Sequence, residues 1–346
     1  MNVLSLFDGM SCGQIALENI SLPVDNYYAS EIDKYAMAVT KKNYPDTIHI
    51  GSVVDVDVSK LPKIDLLIGG SPCQGFSFSG KQKGAVTTDN IEVTTLKQYL
   101  DLKNKGFEFD GQSYLFWEYV RILEDIRKIN PEVKFLLENV RMSKKWKDMF
   151  DATMGVKTIE INSKLVSAQS RLRYYWTNIS DVSAPDDLGI DLYDIMETRV
   201  SSAAHTPFLI QDAVFENIKP KVKDTIIKYH DDIMNSDKDF FILPVTTDFS
   251  DSKVSIKKSI TLRAGNNNLY LVDKPNKTYR RATVKECERL QTVPDDYTDA
   301  TLDGKPISQT QRYRMLGNGW TVDVIAHILK NYNTVHVATI NEIMGF

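Results

Sequence analysis

A cysteine at position 73 lies in the run Gly69-Gly70-Ser71-Pro72-Cys73-Gln74-Gly75-Phe76-Ser77, directly after the apolar stretch Ile64-Asp65-Leu66-Leu67-Ile68. That stretch reads as a buried strand, so the thiol falls at a strand's C-terminal end, where open α/β sheets do their chemistry. Pro72 fixes φ just before the cysteine, and the flanking glycines allow close backbone approach, which suits a nucleophile presented to a planar substrate. The plain alternative is a turn with a buried thiol. A second apolar run, Val133 to Leu137, delivers Glu138-Asn139-Val140 at its own C-terminal end. Two strand ends thus carry a nucleophile and a carboxyl group. Arg171 and Arg173, two apart and so on one face of a strand, are cations able to orient such groups.

The elements that must position these residues begin at the N-terminus. Asn2 to Leu6, then Phe7-Asp8-Gly9-Met10-Ser11-Cys12-Gly13, then Gln14-Ile15-Ala16-Leu17 read as strand, glycine turn and helix, the usual cradle of a nucleotide-like ligand. A second strand, Tyr27 to Ser30, ends at Glu31, and Asp33 caps a helix that runs to Asn43 before Tyr44-Pro45. Glu31 falls about 20 residues beyond the glycine turn, the spacing at which a carboxylate reaches ribose hydroxyls. Ile48-His49-Ile50 is a third strand. From Tyr114 to Ile129 apolar residues recur at helical spacing until Asn130-Pro131, a core stripe. Thr158 to Val166 and Arg173 to Asn178 read as the last two strands. Strands alternating with helices predict a mostly parallel sheet with its strand ends at one edge.

From Ser180 to about Lys277 the pattern turns polar, with turn-rich pieces at Ser183-Ala184-Pro185-Asp186-Asp187 and Gly265-Asn266-Asn267-Asn268. A small irregular β-rich lobe is expected there. Helical pattern returns at Thr283 to Gln291 and Val322 to Lys330. With 346 residues and 42% hydrophobic content the chain can bury a sizeable core. No apolar stretch is long enough for a membrane span, and the N-terminus lacks the basic start of a signal peptide, so a cytoplasmic protein is expected. The three cysteines, Cys12, Cys73 and Cys287, suggest neither a disulfide framework nor a zinc site. Net charge is -4, which argues against indiscriminate coating of nucleic acid. Any such binding must come from a local patch.

Taken in order, Phe7-Asp8-Gly9, Glu31, Pro72-Cys73-Gln74, Glu138-Asn139-Val140, Gln169-Ser170-Arg171-Leu172-Arg173, Arg280-Arg281-Ala282-Thr283 with Glu288-Arg289-Leu290-Gln291, and Gly317-Asn318 resemble the DNA (cytosine-5) methyltransferase family from Val3 to about Ile328. Arg173-Tyr174-Tyr175-Trp176 and Gly317-Asn318-Gly319-Trp320 further resemble catalytic domains of animal de novo enzymes, while the compact chain is more similar to bacterial or phage ones. The resemblance implies an α/β, Rossmann-like S-adenosylmethionine-dependent methyltransferase fold, with a catalytic domain at residues 1–180 and 305–346 and a target-recognition domain at 181–304.

It also implies the chemistry. Carbon 5 of cytosine is a poor nucleophile until a thiolate adds at C6, and Cys73 is the implied nucleophile. A thiol of pKa roughly 8.5 needs cations or amides nearby. Glu138 is implied to stabilise or protonate N3. Arg171 would contact the base, Arg173 would organise Cys73 or Glu138, and Asn139 would brace the loop bearing Pro72 and Cys73. The implied cofactor is S-adenosylmethionine, leaving as S-adenosylhomocysteine, with no metal. Its implied contacts are Phe7, Asp8, Gly9, Met10 and Cys12 for the methionine part, Glu31 for the ribose, and Ile32 and Val53 for the adenine faces. Gly70, Pro72 and Leu115 line the floor, and Asn318 and Trp320 close the site. Ser52 stands where the family has an aspartate, and Asp55 is the nearest substitute. The implied partner is double-stranded DNA, from which the target base must be extruded at a cost of a few kcal/mol.

Gln74, Ser77, Lys81 and Lys83, among the glycines Gly75, Gly80 and Gly84, are expected to form a mobile loop that closes on phosphates. A monomer is expected, and a cognate restriction endonuclease is left open. An extra segment, Ala85 to Phe107, has no role that the sequence assigns. Two other readings compete: a transfer-RNA methyltransferase, whose subgroup carries a Cys-Phe-Thr tripeptide that is absent here, and a silent DNA-binding relative, which would be expected to have lost Cys73, Glu138 or Arg171.

Overall fold

A computed structural model describes residues 1–77, 83–197, 206–207, 235, 240–244, 258–264, 269–273 and 278–333. The chain divides into two compact units. The first comprises Met1–Ile161, Leu172–Pro185 and Val322–Phe346, and the second Asn162–Arg171 and Asp186–Thr321. The expected boundary at 304/305 therefore lies inside the second unit. Its helix at Gln309–Asn318 is fastened there by Tyr313, whose hydroxyl donates to the Ala282 carbonyl at 2.8 Å, and by Gln291, whose amide donates to the Leu316 carbonyl at 2.6 Å. Residues 162–171 also join this unit and not the first.

The first unit is built on a seven-stranded sheet of β1 (Asn2–Leu6), β2 (Asn26–Ser30), β3 (Ile48–Gly51), β4 (Leu66–Gly70), β7 (Lys134–Val140), β8 (Ile159–Asn162) and β9 (Leu172–Thr177), in the order β3-β2-β1-β4-β7-β9-β8. Strands β1 to β4 and β7 run parallel, and β9 runs antiparallel to β7. Helices α1 (Cys12–Asn19), α2 (Lys34–Asn43) and α4 (Leu115–Ile129) make the crossovers. Central strands covered on both faces must be apolar throughout, which is why Val3, Leu4, Leu66 to Ile68 and Phe135 to Leu137 are all fully buried. On α4 the predicted stripe is buried through Ile126, and Asn130 ends the helix.

The chain winds from β1 outward to β3, then returns to β4 on the other side of β1. That reversal makes the ends of β1 and β4 a topological switch point, where such sheets leave a crevice. Strand β7 runs farther than predicted, so Glu138, Asn139 and Val140 are its last residues and not a loop. Strand β8 is shorter than predicted and gives way to a turn of 3-10 helix at Ser163–Leu165.

The segment from Ala85 is a packed insert. A two-stranded ribbon pairs β5 (Val86–Thr87) with β6 (Phe109–Asp110) around α3 (Leu96–Asn104). Tyr99 and Val93 are buried in the main core, and Tyr99, Phe109 and Tyr114 stack with centroids 4.8 to 6.1 Å apart. Helix α5 (Lys144–Met154) ends at Gly155, whose φ of 71° is the left-handed conformation of a helix C-cap.

In the second unit, α6 (Leu192–Ile195) precedes a four-stranded antiparallel sheet of β10 (Thr206–Pro207), β11 (Phe240–Pro244), β12 (Leu269–Asp273) and β13 (Thr278–Arg281), in the order β10-β13-β12-β11. The Gly265 to Asn268 turn lies outside the described residues. Helix α7 (Val284–Leu290) opens with a reciprocal Thr283/Glu286 capping box, and α8 (Gln309–Asn318) follows. Cys287 is fully buried on α7. Helix α9 (Val322–Leu329), buried along most of its length, belongs again to the first unit and packs there on α1.

Candidate active site

The ends of β1, β2, β4 and β7 meet at one edge of the sheet. After β1 the backbone turns sharply, with φ of 57° at Phe7, 59° at Gly9 and 61° at Ser11. A Cβ built on Gly9 meets nothing within 4 Å, so the turn faces open space. Its other side is locked. The Asp8 carboxylate is buried and accepts from the Ser11 hydroxyl and from Tyr27 at 2.7 Å, and Ser11 and Thr40 hydroxyls lie 3.0 Å apart. Burial pushes the Asp8 carboxyl up to about 6 against the pull of these hydrogen bonds. The side chain of Asp8 therefore faces inward, and any contact of this residue with a ligand is through its backbone. Met10 and Cys12 are buried likewise.

Glu31 accepts from the Gly9, Ile32 and Asp33 amides, each at 2.7 Å, which joins the β2 end to the β1 turn. Beside it Ile32 is 70% exposed, unusual for a large aliphatic side chain and suited to a planar apolar ligand face. Val53 is buried, and Ser52 is half-buried with no capping bond from its side chain. Asp55 is exposed at the end of the same short turn. Leu115 is half-buried at the start of α4.

At the β4 end, Gly69 passes so close to β1 that an added Cβ would lie 2.9 Å from the Leu6 carbonyl oxygen and 3.0 Å from the Tyr119 ring. Gly70 follows in register with Glu138 of β7. Asn139, 1% exposed, donates to the Ser71 carbonyl and hydroxyl at 3.2 and 3.0 Å, so it braces the stem of the Pro72-Cys73 loop. Cys73 is half-buried, and its carbonyl accepts from Phe76 and Ser77 at 2.9 Å each. Phe76, fully buried, packs edge-on against Phe116, Trp146 and Phe150. Arg173 Nε lies 3.0 Å from Glu138 Oε1, with side chains 14% and 12% exposed.

Two expectations need correction. Of Arg171 and Arg173, expected two apart on one strand, only Arg173 lies in β9. Arg171 precedes β9 and belongs to the second unit, where its guanidinium donates to the carbonyls of Leu262, Gly317 and Gly319 at 3.0, 3.2 and 2.9 Å. Gln169 is bound similarly, donating to the Leu290 carbonyl and accepting from the Leu262 amide. Second, Gly75 and Gly84, expected among the glycines of a mobile loop, are close-packing positions, while 78–82 between them lie outside the described residues. The Gly84 amide donates to the Gly75 carbonyl at 2.8 Å, and a Cβ on Gly84 would lie 2.2 Å from Trp146. Gly80 and Lys81 lie outside the described residues, Gln74 is exposed, Ser77 bridges to Met142, and Lys83 donates to Asn90 at 3.1 Å. The Ala85 to Phe107 segment, to which the sequence assigns no role, is part of the fold. Asn318 and Trp320 lie in the second unit. Sequence reasoning missed Ser113 and Trp146, since spacing carries no sign that residues 38 or more beyond Gly75 converge on the Cys73 loop.

This architecture is the Rossmann-like fold of S-adenosylmethionine-dependent methyltransferases. Over 95% of its length the chain matches 98% of a DNMT2 variant from Spodoptera frugiperda, with a TM-score of 0.59 at 19% identity. Residues 1–153 and 166–334 match the model of the C-5 cytosine-specific DNA methylases, and the chain belongs to that family. It is 42% identical over 108 residues to the orphan methyltransferase M.Rho11sI of Bacillus phage rho11s, a match covering 30% of this chain but only 21% of that protein. It is 25% identical over 350 residues to the type II methyltransferase M.HhaI of Haemophilus parahaemolyticus, covering 96% of this chain and 94% of that one. No helix among the described residues is long and apolar enough to cross a membrane.

Proposed function

We propose that the chain is a sequence-specific DNA cytosine-5 methyltransferase, acting as a monomer on double-stranded DNA in the cytoplasm of a bacterial or phage-infected cell. The observation that carries this reading is the placement of Cys73 and Glu138 at the ends of adjacent strands, with Arg173 on the carboxylate, in a member of this family.

Cys73 adds through its thiolate sulfur to C6 of an extruded cytosine, and the displaced electron pair moves toward N3, where Glu138 donates a proton. Carbon 5 is thereby made nucleophilic. Arg173 holds the Glu138 carboxyl in place, and Asn139 fixes the stem of the nucleophile loop. S-adenosylmethionine, when bound, supplies an electrophilic methyl group on a sulfonium. The residues present fit it: open space over Gly9 for the methionine part, a carboxylate at Glu31 for the ribose, and the exposed face of Ile32 for the adenine. Phe7, Met10 and Cys12 shape the turn, and Val53, Pro72, Gly70 and Leu115 surround it. Ser52 contributes a hydroxyl in place of a carboxylate. Loss of the C5 proton to solvent, departure of the Cys73 sulfur as thiolate and return of the N3 proton to the Glu138 carboxylate restore the aromatic ring.

Tritiated S-adenosylmethionine, incubated with the protein and either duplex DNA or transfer RNA, tests the reading. Label is expected in DNA alone; label confined to RNA, or none with DNA binding retained, overturns it. Duplex DNA containing 5-fluorocytosine is expected to trap a covalent adduct that Cys73→Ser abolishes.

A further inference from the structure

We propose that Ser113 is a positioning residue for the nucleophile: its hydroxyl oxygen latches the backbone turn that begins at Cys73 and so fixes where the sulfur stands. The turn closes on itself through the Cys73 carbonyl, which accepts from both Phe76 and Ser77. From outside, Phe76 packs on Phe116, Trp146 and Phe150, Ser77 bridges to Met142, and two backbone hydrogen bonds converge on Gly75. The Gly75 amide donates to Ser113 Oγ at 2.7 Å, and the Gly75 carbonyl accepts from Gly84 at 2.8 Å. Ser113 is 2% exposed, so its acceptor works where water does not compete, and without it the Gly75 amide is left an unsatisfied donor. The approach is closer than any side chain at 75 would permit, since a Cβ there would lie 2.6 Å from Ser113 Oγ and 2.3 Å from the Gly84 oxygen. Glycine at this position is therefore explained by the latch.

Ser113 is itself well anchored. It stands two residues before the first turn of α4, and Phe116 in that turn packs against Phe76, three residues after the nucleophile. One helix start thus holds the Cys73 turn by an apolar contact and by a directional hydrogen bond. Reaction rates depend steeply on sub-ångström placement of the attacking atom.

The inference rests on Cys73 being the nucleophile, and its test separates the two. Ser113→Ala is expected to lower kcat for methyl transfer about tenfold or more, with KM for DNA and affinity for S-adenosylmethionine little changed. The pH profile of Cys73 alkylation by iodoacetamide should shift. Ser113→Thr, which keeps the acceptor, should recover kcat. Wild-type kcat and alkylation in Ser113→Ala overturn the proposal, as does equal impairment of the alanine and threonine variants, which would mark a packing effect. In the unsubstituted protein the Gly75 amide should exchange slowly with deuterium; exchange at the rate of an open loop overturns the latch whatever the variants do. If Cys73→Ser abolishes transfer while Ser113→Ala does not alter it, only the latch falls; if Cys73→Ser still transfers methyl, the assignment of the nucleophile falls first.

Discussion

Glu138 and Arg173 lie deep enough that neither charge is well solvated alone, and each supplies what the other lacks. Arg173→Ala leaves a carboxyl without its cation at the strand edge. It is expected to cost about 3 kcal/mol of stability and to lower methyl transfer about 100-fold, read from urea unfolding and steady-state rates. Arg173→Lys should recover part of both, because it keeps the charge but not the planar fork. Asp8 gives a prediction of opposite character. Burial raises its carboxyl from 3.8 to about 6, so the folded state binds a proton more tightly than the unfolded one. Stability from this residue is therefore present below 3.8 and lost as pH rises through about 6. The expected swing is up to about 3 kcal/mol. Unfolding free energies of wild type and Asp8→Asn between those limits check it: the variant should lack this component of the slope, and parallel curves would assign the pH dependence elsewhere.

Elements whose role is set by local pattern were legible in the sequence. Strands β1, β2 and β4 are short, mostly apolar runs followed by a glycine or a carboxylate, and α4 carries its core stripe at helical spacing, so fold class and the Cys73 and Glu138 strand ends could be placed from residue order alone. The insert could not, because what makes it a structure is a charge cluster around one buried carboxylate, between residues distant in sequence. Glu118 of α4, fully buried, accepts from Tyr99 and pairs with Lys103 of α3 at 2.5 Å and Arg121 at 2.7 Å. Nothing in the run Leu96 to Asn104 announces that partner. The same blindness hid Arg171, whose three carbonyl acceptors lie about 90 to 150 residues away along the chain. Glu118→Ala is expected to cost about 3 to 5 kcal/mol, since it strips the acceptor from a buried tyrosine and two cations at once. Proteolysis should then begin within residues 85–110. A variant as stable as wild type, with the insert still protected, would show that aromatic stacking alone holds it.

The chain passes between its two units four times, at 161/162, 171/172, 185/186 and 321/322, so neither is a continuous piece. The ten residues Asn162–Arg171 form a strap within the second unit, and nearly every polar side chain on it is committed there. Ser163 donates to Thr321 at 2.8 Å, Ser167 to the Leu290 carbonyl at 2.6 Å, and Gln169 bonds both Leu290 and Leu262. Gly317 packs so tightly on the 263–264 backbone that a Cβ would lie 2.3 Å from Arg263, which accounts for glycine in the Gly317-Asn318 pair. Arg171 completes the strap by gathering Leu262, Gly317 and Gly319 around one guanidinium. Charged hydrogen bonds to buried carbonyls contribute more than neutral ones, so Arg171→Ala is expected to cost about 3 kcal/mol and to open residues 258–264 to protease. A lysine has the charge but cannot span three diverging acceptors as a rigid fork does, so Arg171→Lys should recover less than half of that loss. Contact with an extruded base, the role its family resemblance implies, makes the contrary forecast: Arg171→Ala would keep the unfolding curve and protease pattern of the wild type while losing methyl transfer. Urea unfolding and turnover measured on the same preparation decide between them.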